Sequence, residues 1–318
     1  MIKVLANDGI SASGEKALKD AGFEIITQKV AQEQLVNVIN QKDIRVLLVR
    51  SATKVRQDLI DACPGLKMIG RGGVGMDNID VDYARGKGIE VINTPAASSA
   101  SVAELVFAHL FGMVRFLYDA NRQMPLEGES SFKDLKKAYA KGKELAGKTL
   151  GIIGFGRIGQ EVAKRAIGLG MNVIAHDKFV ETRNIELNFF DGQKMDFKIT
   201  PTSLEEVLKK SDFITLHIPK VSDKAVIGPE EIGMMKDGAG IVNAARGGVI
   251  DEDALMFALE KGKLDYAGLD VFDNEPNPSI HLLMQTNVSL TPHIGAATLE
   301  AQDRIGTELA EKINTFFN

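Results

Sequence analysis

The chain has 318 residues, and at roughly 150 residues per domain this length predicts about two domains. Its 44% hydrophobic and 25% charged residues exclude a disordered, collagen-like or coiled-coil chain, while 31 glycines stand about a tenth of the chain against a usual ~7%. With 38 basic and 43 acidic residues the net charge is −5, which argues against a general nucleic-acid or anionic-membrane surface and requires any anion site to be focal.

In chain order, apolar runs at residues 2–6, 24–27, 45–49, 67–70 and 89–92 predict strands separated by amphipathic helices, the pattern of a parallel α/β sheet. A long helix over 98–118 follows, opened by a serine-rich stretch and carrying Val102, Leu105, Val106, His109, Leu110, Met113 and Leu117 on one apolar face. Residues 121–148 are polar and lysine-rich, an exposed arm or an interface element. A second α/β series has predicted strands at 149–153, 172–176, 212–217, 240–244, 266–269 and 288–290, broken by a polar insertion over 181–198 centred on Gly192. Residues 296–317 predict one long amphipathic helix. Both halves are therefore expected to be doubly wound. The start of the sequence has no basic stretch followed by an apolar core, no window approaches a membrane-spanning apolar run, and the single Cys63 reads as a core or loop residue, so a cytoplasmic protein is expected.

Three glycine motifs compete for anion binding. Gly154, Gly156 and Gly159 follow an apolar strand and open a helix, the context in which glycines make a tight turn, admit a pyrophosphate and let helix and strand pack closely. Asp177 ends the next strand, 18 residues beyond Gly159, where a carboxylate accepts from a ribose hydroxyl and repels a 2′-phosphate, so NAD is favoured over NADP. Residues 70–75 have the same spacing but run into a turn with no acidic strand end at the right distance. We read them as a loop whose amides and Arg71 hold a smaller anion, against a structural glycine turn. Residues 142–149 fit a triphosphate-binding loop by pattern, but the strand follows the motif instead of preceding it.

Six blocks in order, VRSATKV (49–55), GRGGVGMDNID (70–80), GKTLGIIGFGRIG (147–159), NAARGGVIDEDAL (243–255), LDVFDNEP (269–276) and TPHIGAAT (291–298), resemble the D-isomer-specific 2-hydroxyacid dehydrogenases over nearly the whole chain. The resemblance is nearest to the short members that oxidise 3-phosphoglycerate and lack a C-terminal regulatory domain. It implies a Rossmann NAD-binding domain over 99–289, inserted into a flavodoxin-like substrate-binding domain over 1–98 and 290–318. The implied catalytic trio is Arg246, Glu275 and His293. His293 is the best of five histidines for proton transfer, Glu275 would orient it and favour the imidazolium, and Arg246 would bind the carboxylate or carbonyl oxygen of a small 2-oxo acid. The alternative is that Arg246 and Glu275 form a structural ion pair and His293 caps the last helix. Of the other histidines, His109 is expected in the core.

The resemblance places Val74, Gly154, Gly156, Arg157, Ile158, Gly159, Asp177, His217, Ile218, Pro219, Ala244, Ala245, Arg246, Asp270, His293, Gly295 and Ala296 at the cofactor. It places Arg50, Ser51, Arg71, Gly72, Gly73 and Val74, with Arg246 and His293, at a phosphorylated substrate. Three positions depart from the family pattern: Ser98 for a frequent asparagine, Lys178 for a proline, and Lys137 near where a partner subunit can offer arginine. No histidine, cysteine and carboxylate cluster has zinc-ligand spacing, so no metal is implied. A homodimer built through the NAD domains is expected, with other small 2-oxo acids as alternative substrates and an NAD-responsive, non-enzymatic binding protein as the remote alternative.

Overall fold

The computed structural model describes residues 1–318, which separate into two compact units: Met1–Ser101 with Ala296–Asn318, and Val102–Gly295. In the first unit, β1 (Lys3–Ala6), β2 (Glu24–Ile26), β3 (Ile44–Val49), β4 (Met68–Arg71) and β5 (Glu90–Asn93) form a parallel sheet in the order β2-β1-β3-β4-β5. Strand β3 is buried at five of its six positions, the near-continuous apolar run that a parallel sheet covered on both faces demands. The helix Ala12–Asp20 crosses Leu299–Phe317 where two glycines meet, and a Cβ on Gly14 would lie 2.6 Å from Gly306 Cα. That last helix is capped by Thr298, whose hydroxyl accepts from Ala301 N–H.

The second unit contains β6 (Thr149–Ile153), β7 (Asn172–His176), β8 (Arg183–Asn188), β9 (Lys194–Ile199), β10 (Phe213–Leu216), β11 (Ala239–Asn243), β12 (Leu264–Leu269) and β13 (Val288–Leu290). Six of these form a parallel sheet in the order β13-β12-β11-β10-β6-β7, so the strand order reverses between β6 and β10. A crevice outside the carboxyl ends of strands at such a switch point is where doubly wound sheets bind ligands. Each unit is thus an α/β fold on its own parallel sheet, as the alternation of strands and helices predicts.

Two elements differ from the reading of the sequence. The polar insertion is an antiparallel hairpin, β8 against β9, with Gly192 at φ +86° in its turn and Ile185 as its buried residue. The connecting helix stops at Val114, and a second helix, Leu117–Glu127, leaves at 55° after Phe116 takes a left-handed conformation. Neither Gly nor Pro causes this break; the Phe116 ring packs against Tyr139 and Tyr266, with centroids 5.9 and 6.3 Å away. No single helix is long and apolar enough to cross a membrane.

Candidate active site

The loop after β6 meets the stereochemical demands of a dinucleotide fingerprint at each glycine. Gly154 has φ +93°, and a Cβ there would lie 2.5 Å from the carbonyl oxygen of His217 at the end of β10. Only glycine lets β6 turn this close to its neighbour. A Cβ on Gly159 would lie 2.2 Å from the Gly154 oxygen, so the helix Arg157–Gly168 can start this near the strand only with glycine there. The space over Gly156, the N-cap of that helix, is open to 4 Å, as a closely approaching phosphate requires.

Asp177, just beyond β7, is tied into this loop. One carboxylate oxygen accepts from Phe155 N–H at 2.7 Å, and the other from Phe179 and Val180 N–H at 2.8 and 3.0 Å. Partial burial opposes its charge, but the three backbone donors outweigh burial and hold the carboxyl below its usual range. Oδ1 already accepts twice, whereas Oδ2 accepts once and has a second lone pair, which leaves acceptor capacity for a ribose hydroxyl. The glycine loop and this carboxylate fit NAD. Lys178 and Phe179 beside it are exposed, as are Arg157 and Pro219, while Ile158 and Ile218 are half-buried. His217 shares its Nε2 with the Thr215 hydroxyl at 3.0 Å, its Nδ1 is buried, and burial pushes its pKa down to about 3.

The trio lies on three loops at the carboxyl ends of β11, β12 and β13. His293 Nδ1 is 2.8 Å from Glu275 Oε2, and Glu275 Oε1 accepts from Phe272 N–H at 3.1 Å. An ionised carboxylate only accepts, so Nδ1 carries the hydrogen of this contact, and Nε2 is the ring nitrogen that the contact leaves unengaged. The two side chains are 42% and 36% exposed, where such a pair adds only about 0–1 kcal/mol of stability. Its consequence is therefore orientation of the ring. A cavity of about 430 Å³ opens here, lined by both residues with Phe272, Pro276, Leu290 and Thr291.

Arg246 follows Ala244 and Ala245 after β11; its Nη1 donates to the Ala245 carbonyl at 2.7 Å, and its own carbonyl accepts from Asn243. The next residue packs backbone on backbone, since a Cβ on Gly247 would fall 1.9 Å from the Phe272 oxygen. This contact brings the arginine loop against the loop that carries Glu275.

His293 itself is left-handed, with φ 54°. That conformation costs a non-glycine residue roughly 1–3 kcal/mol unless the surroundings impose it. Here they do: His293 N–H donates to the Thr291 carbonyl, and the next two N–H groups, of Ile294 and Gly295, donate to opposite oxygens of Asp270, both at 2.8 Å. Asp270 is only 1% exposed. Its carboxylate is engaged inside the loop, where it accepts from Thr291, Ile294 and Gly295. His109 is buried, as expected of a core residue, but the sequence did not show that its ring bonds the hydroxyls of Ser289 and Thr291.

In the other unit, Arg50 and Arg71 stand at the carboxyl ends of β3 and β4, neighbours in the sheet through the Val49–Arg71 pairing. Arg50 and Arg71 are half-buried and Ser51 is exposed. Asp8 accepts from the N–H of Arg50 and of Thr53, and Asn78 donates to both of their carbonyls, which clamps the Arg50–Thr53 turn. Gly73, at φ +144°, leaves room for the Arg71 guanidinium, whose Nη1 donates to the Gly72 carbonyl. Val74 is 38% exposed and no helix opens at this loop; the next one begins at Val81. Ser98 is buried, Lys137 lies on the Phe132–Ala138 helix, and Ala296 is half-buried. Residues 142–148 likewise open no helix and lead into β6, which removes the triphosphate-loop reading. Cys63 is fully buried and burial pushes its thiol up to about 11, so it is no nucleophile. No group of three or more His, Cys, Asp or Glu side chains could hold a metal ion.

Residues 107–295 match the family described as D-isomer specific 2-hydroxyacid dehydrogenase, NAD binding domain. Hydroxypyruvate reductase of Thermotoga maritima is 45% identical over 98% of this chain and 97% of its own length. D-3-phosphoglycerate dehydrogenase of Methanocaldococcus jannaschii is 44% identical over 98% of this chain, which spans only 57% of that protein. Among solved structures, D-lactate dehydrogenase from Aquifex aeolicus, complexed with NAD and lactic acid, superposes with a TM-score of 0.75 at 32% identity, over the whole of this chain and 95% of the other. The glycine loop with its aspartate, the fold and these relatives together place the chain in the D-isomer specific 2-hydroxyacid dehydrogenases, oxidoreductases that use NAD.

Proposed function

We propose that this protein oxidises 3-phospho-D-glycerate to 3-phosphohydroxypyruvate, the entry to serine synthesis. The observation that carries this reading is the pair of arginines, Arg50 and Arg71, on adjoining strand ends, with Ser51 beside them. Two guanidinium groups suit a doubly charged phosphate, whereas an unphosphorylated 2-oxo acid offers a single carboxylate. The 44% identity to a phosphoglycerate dehydrogenase supports the same choice.

Bound NAD supplies the hydride acceptor, and the remaining chemistry falls to side chains. His293 Nε2 removes the proton of the C2 hydroxyl as hydride leaves C2. The imidazolium so formed is stabilised by Glu275, whose carboxylate already holds Nδ1. Arg246 stabilises negative charge at the carboxylate or the developing carbonyl oxygen. In the reverse direction His293 returns the proton to that oxygen.

A second reading is reduction of hydroxypyruvate, favoured by the relative that is 45% identical over nearly its full length. A substrate panel separates the two. NADH oxidation should be far more efficient with phosphohydroxypyruvate than with hydroxypyruvate, glyoxylate or pyruvate, and Arg50→Ala should raise KM for the phosphorylated acid by about 10–100-fold, the loss of one charge-assisted contact. An unphosphorylated acid that wins the panel overturns the substrate and leaves the reaction class. Tight NADH binding with no turnover across the panel would instead favour a binding protein.

A further inference from the structure

Behind His293 lies a polar chain that the acid–base reading does not use. His109, on the Ser99–Val114 helix, is 2% exposed; its Nδ1 is 2.8 Å from the Ser289 hydroxyl and its Nε2 is 3.1 Å from the Thr291 hydroxyl. Thr291 in turn donates to Asp270 Oδ1 at 2.6 Å, the same oxygen that accepts from Ile294 N–H. The chain therefore ends on the peptides that directly follow His293.

Its hydrogens can be assigned. Asp270 as a carboxylate only accepts, so the Thr291 hydroxyl proton is committed to it, and the Thr291 oxygen can only accept from His109. His109 Nε2 thus carries a hydrogen. Burial outweighs the charge of Asp270 and holds this imidazole below its usual range, so the ring is neutral and Nδ1 accepts from Ser289. The opposite tautomer would pull the Thr291 hydroxyl toward His109 and away from Asp270. The neighbouring strand is shaped for this ring: a Cβ on Gly268 in β12 would lie 2.9 Å from His109 Cβ and 3.1 Å from Cγ. Simple core filling requires neither hydroxyl, and a hydrocarbon would satisfy it.

We propose that His109 is a positioning residue for His293: as an Nε2–H donor it fixes the Thr291 hydroxyl on Asp270, and through Asp270 the two peptides that hold His293 in its left-handed conformation. The inference rests on the reading of His293 as the acid–base group.

The test is steady-state reduction by NADH of the better of phosphohydroxypyruvate and hydroxypyruvate, with melting temperatures recorded alongside. His109→Met and Thr291→Val should each lower kcat about tenfold with KM within about threefold, because a displaced acid–base group slows chemistry and not binding. Their double variant should be no slower than either alone, since both cut one chain. His109→Gln, whose amide nitrogen can donate to Thr291, should keep kcat within about threefold of the parent. Unchanged kcat in His109→Met, equal losses with Gln and Met, or losses that multiply in the double variant would each overturn the proposal. Should His109→Met not fold, Thr291→Val decides alone, and an unchanged kcat there sinks it. His293→Ala separates the two levels: if that variant is inactive and His109→Met is not, only the positioning role fails, whereas an active His293→Ala removes the acid–base reading and the inference with it.

Discussion

The His293 imidazole is two-fifths exposed, so its reactivity derives less from burial than from what holds its other nitrogen. Glu275→Gln keeps the shape and removes the charge. The amide can still bond Nδ1 but no longer stabilises the imidazolium, so kcat should fall by about 10²-fold or more while NADH affinity stays near that of the parent. Steady-state kinetics and fluorescence titration check this, and a kcat within twofold of the parent refutes the pairing. Arg246, Glu275 and His293 were each named through the family resemblance, which rests on local and contiguous motifs; the residues alone left a structural ion pair and a helix cap open. The role of Asp270 was not legible, since its partners at 291, 294 and 295 lie on another loop. Nor was that of His109, whose apolar-face position reads as core until the hydroxyls 180 residues away are seen on its ring.

At the scale of elements, glycines determine how closely loops approach one another. Gly247 carries the arginine loop past Phe272 at a separation no Cβ fits. Gly247→Ala must therefore push the two loops apart, and should cost about 1–3 kcal/mol in urea unfolding together with a fall in kcat. A variant as stable and as active as the parent would show that the close packing is dispensable. The parallel strands were legible to within a residue or two because their apolar runs are nearly continuous. The hairpin β8–β9 was not: Ile185, Leu187, Met195, Phe197 and Ile199 do alternate onto one face, but the charged and amide residues between them make the stretch read as a polar insertion, and only its packing against the core shows which side is inner. The break at Phe116 was equally hidden, because aromatic packing and not a helix-breaking residue sets it.

For the molecule as a whole, two histidines held neutral by burial link stability to pH. The folded pKa values of His109 and His217 lie below the ordinary 6.5, that of His217 near 3, so below pH 6.5 the unfolded chain binds more protons than the folded one. Their contribution is complete above about pH 6.5 and is lost as pH falls toward the folded values. Asp177, also depressed, adds a loss of the same sign below about pH 4. Urea unfolding between pH 7.5 and 4.5 should show stability falling with acid at a slope approaching one proton from His217, or about 1.4 kcal/mol per pH unit, with a further fraction of a proton from His109. His217→Asn should flatten that slope by about one proton; an unaltered slope would mean that this ring is protonated in the folded state.

The sequence by itself determined the parallel α/β layering and the family, because strand periodicity and glycine turns are demands that a few consecutive residues either meet or fail. The tertiary structure alone decided that the Asp270 carboxylate faces inward, that His109 reaches the loop of His293, and that a strand order reverses between β6 and β10 beside the Gly154 turn. Those features depend on which distant backbone comes to lie against which, and no local pattern of apolar and polar residues records that.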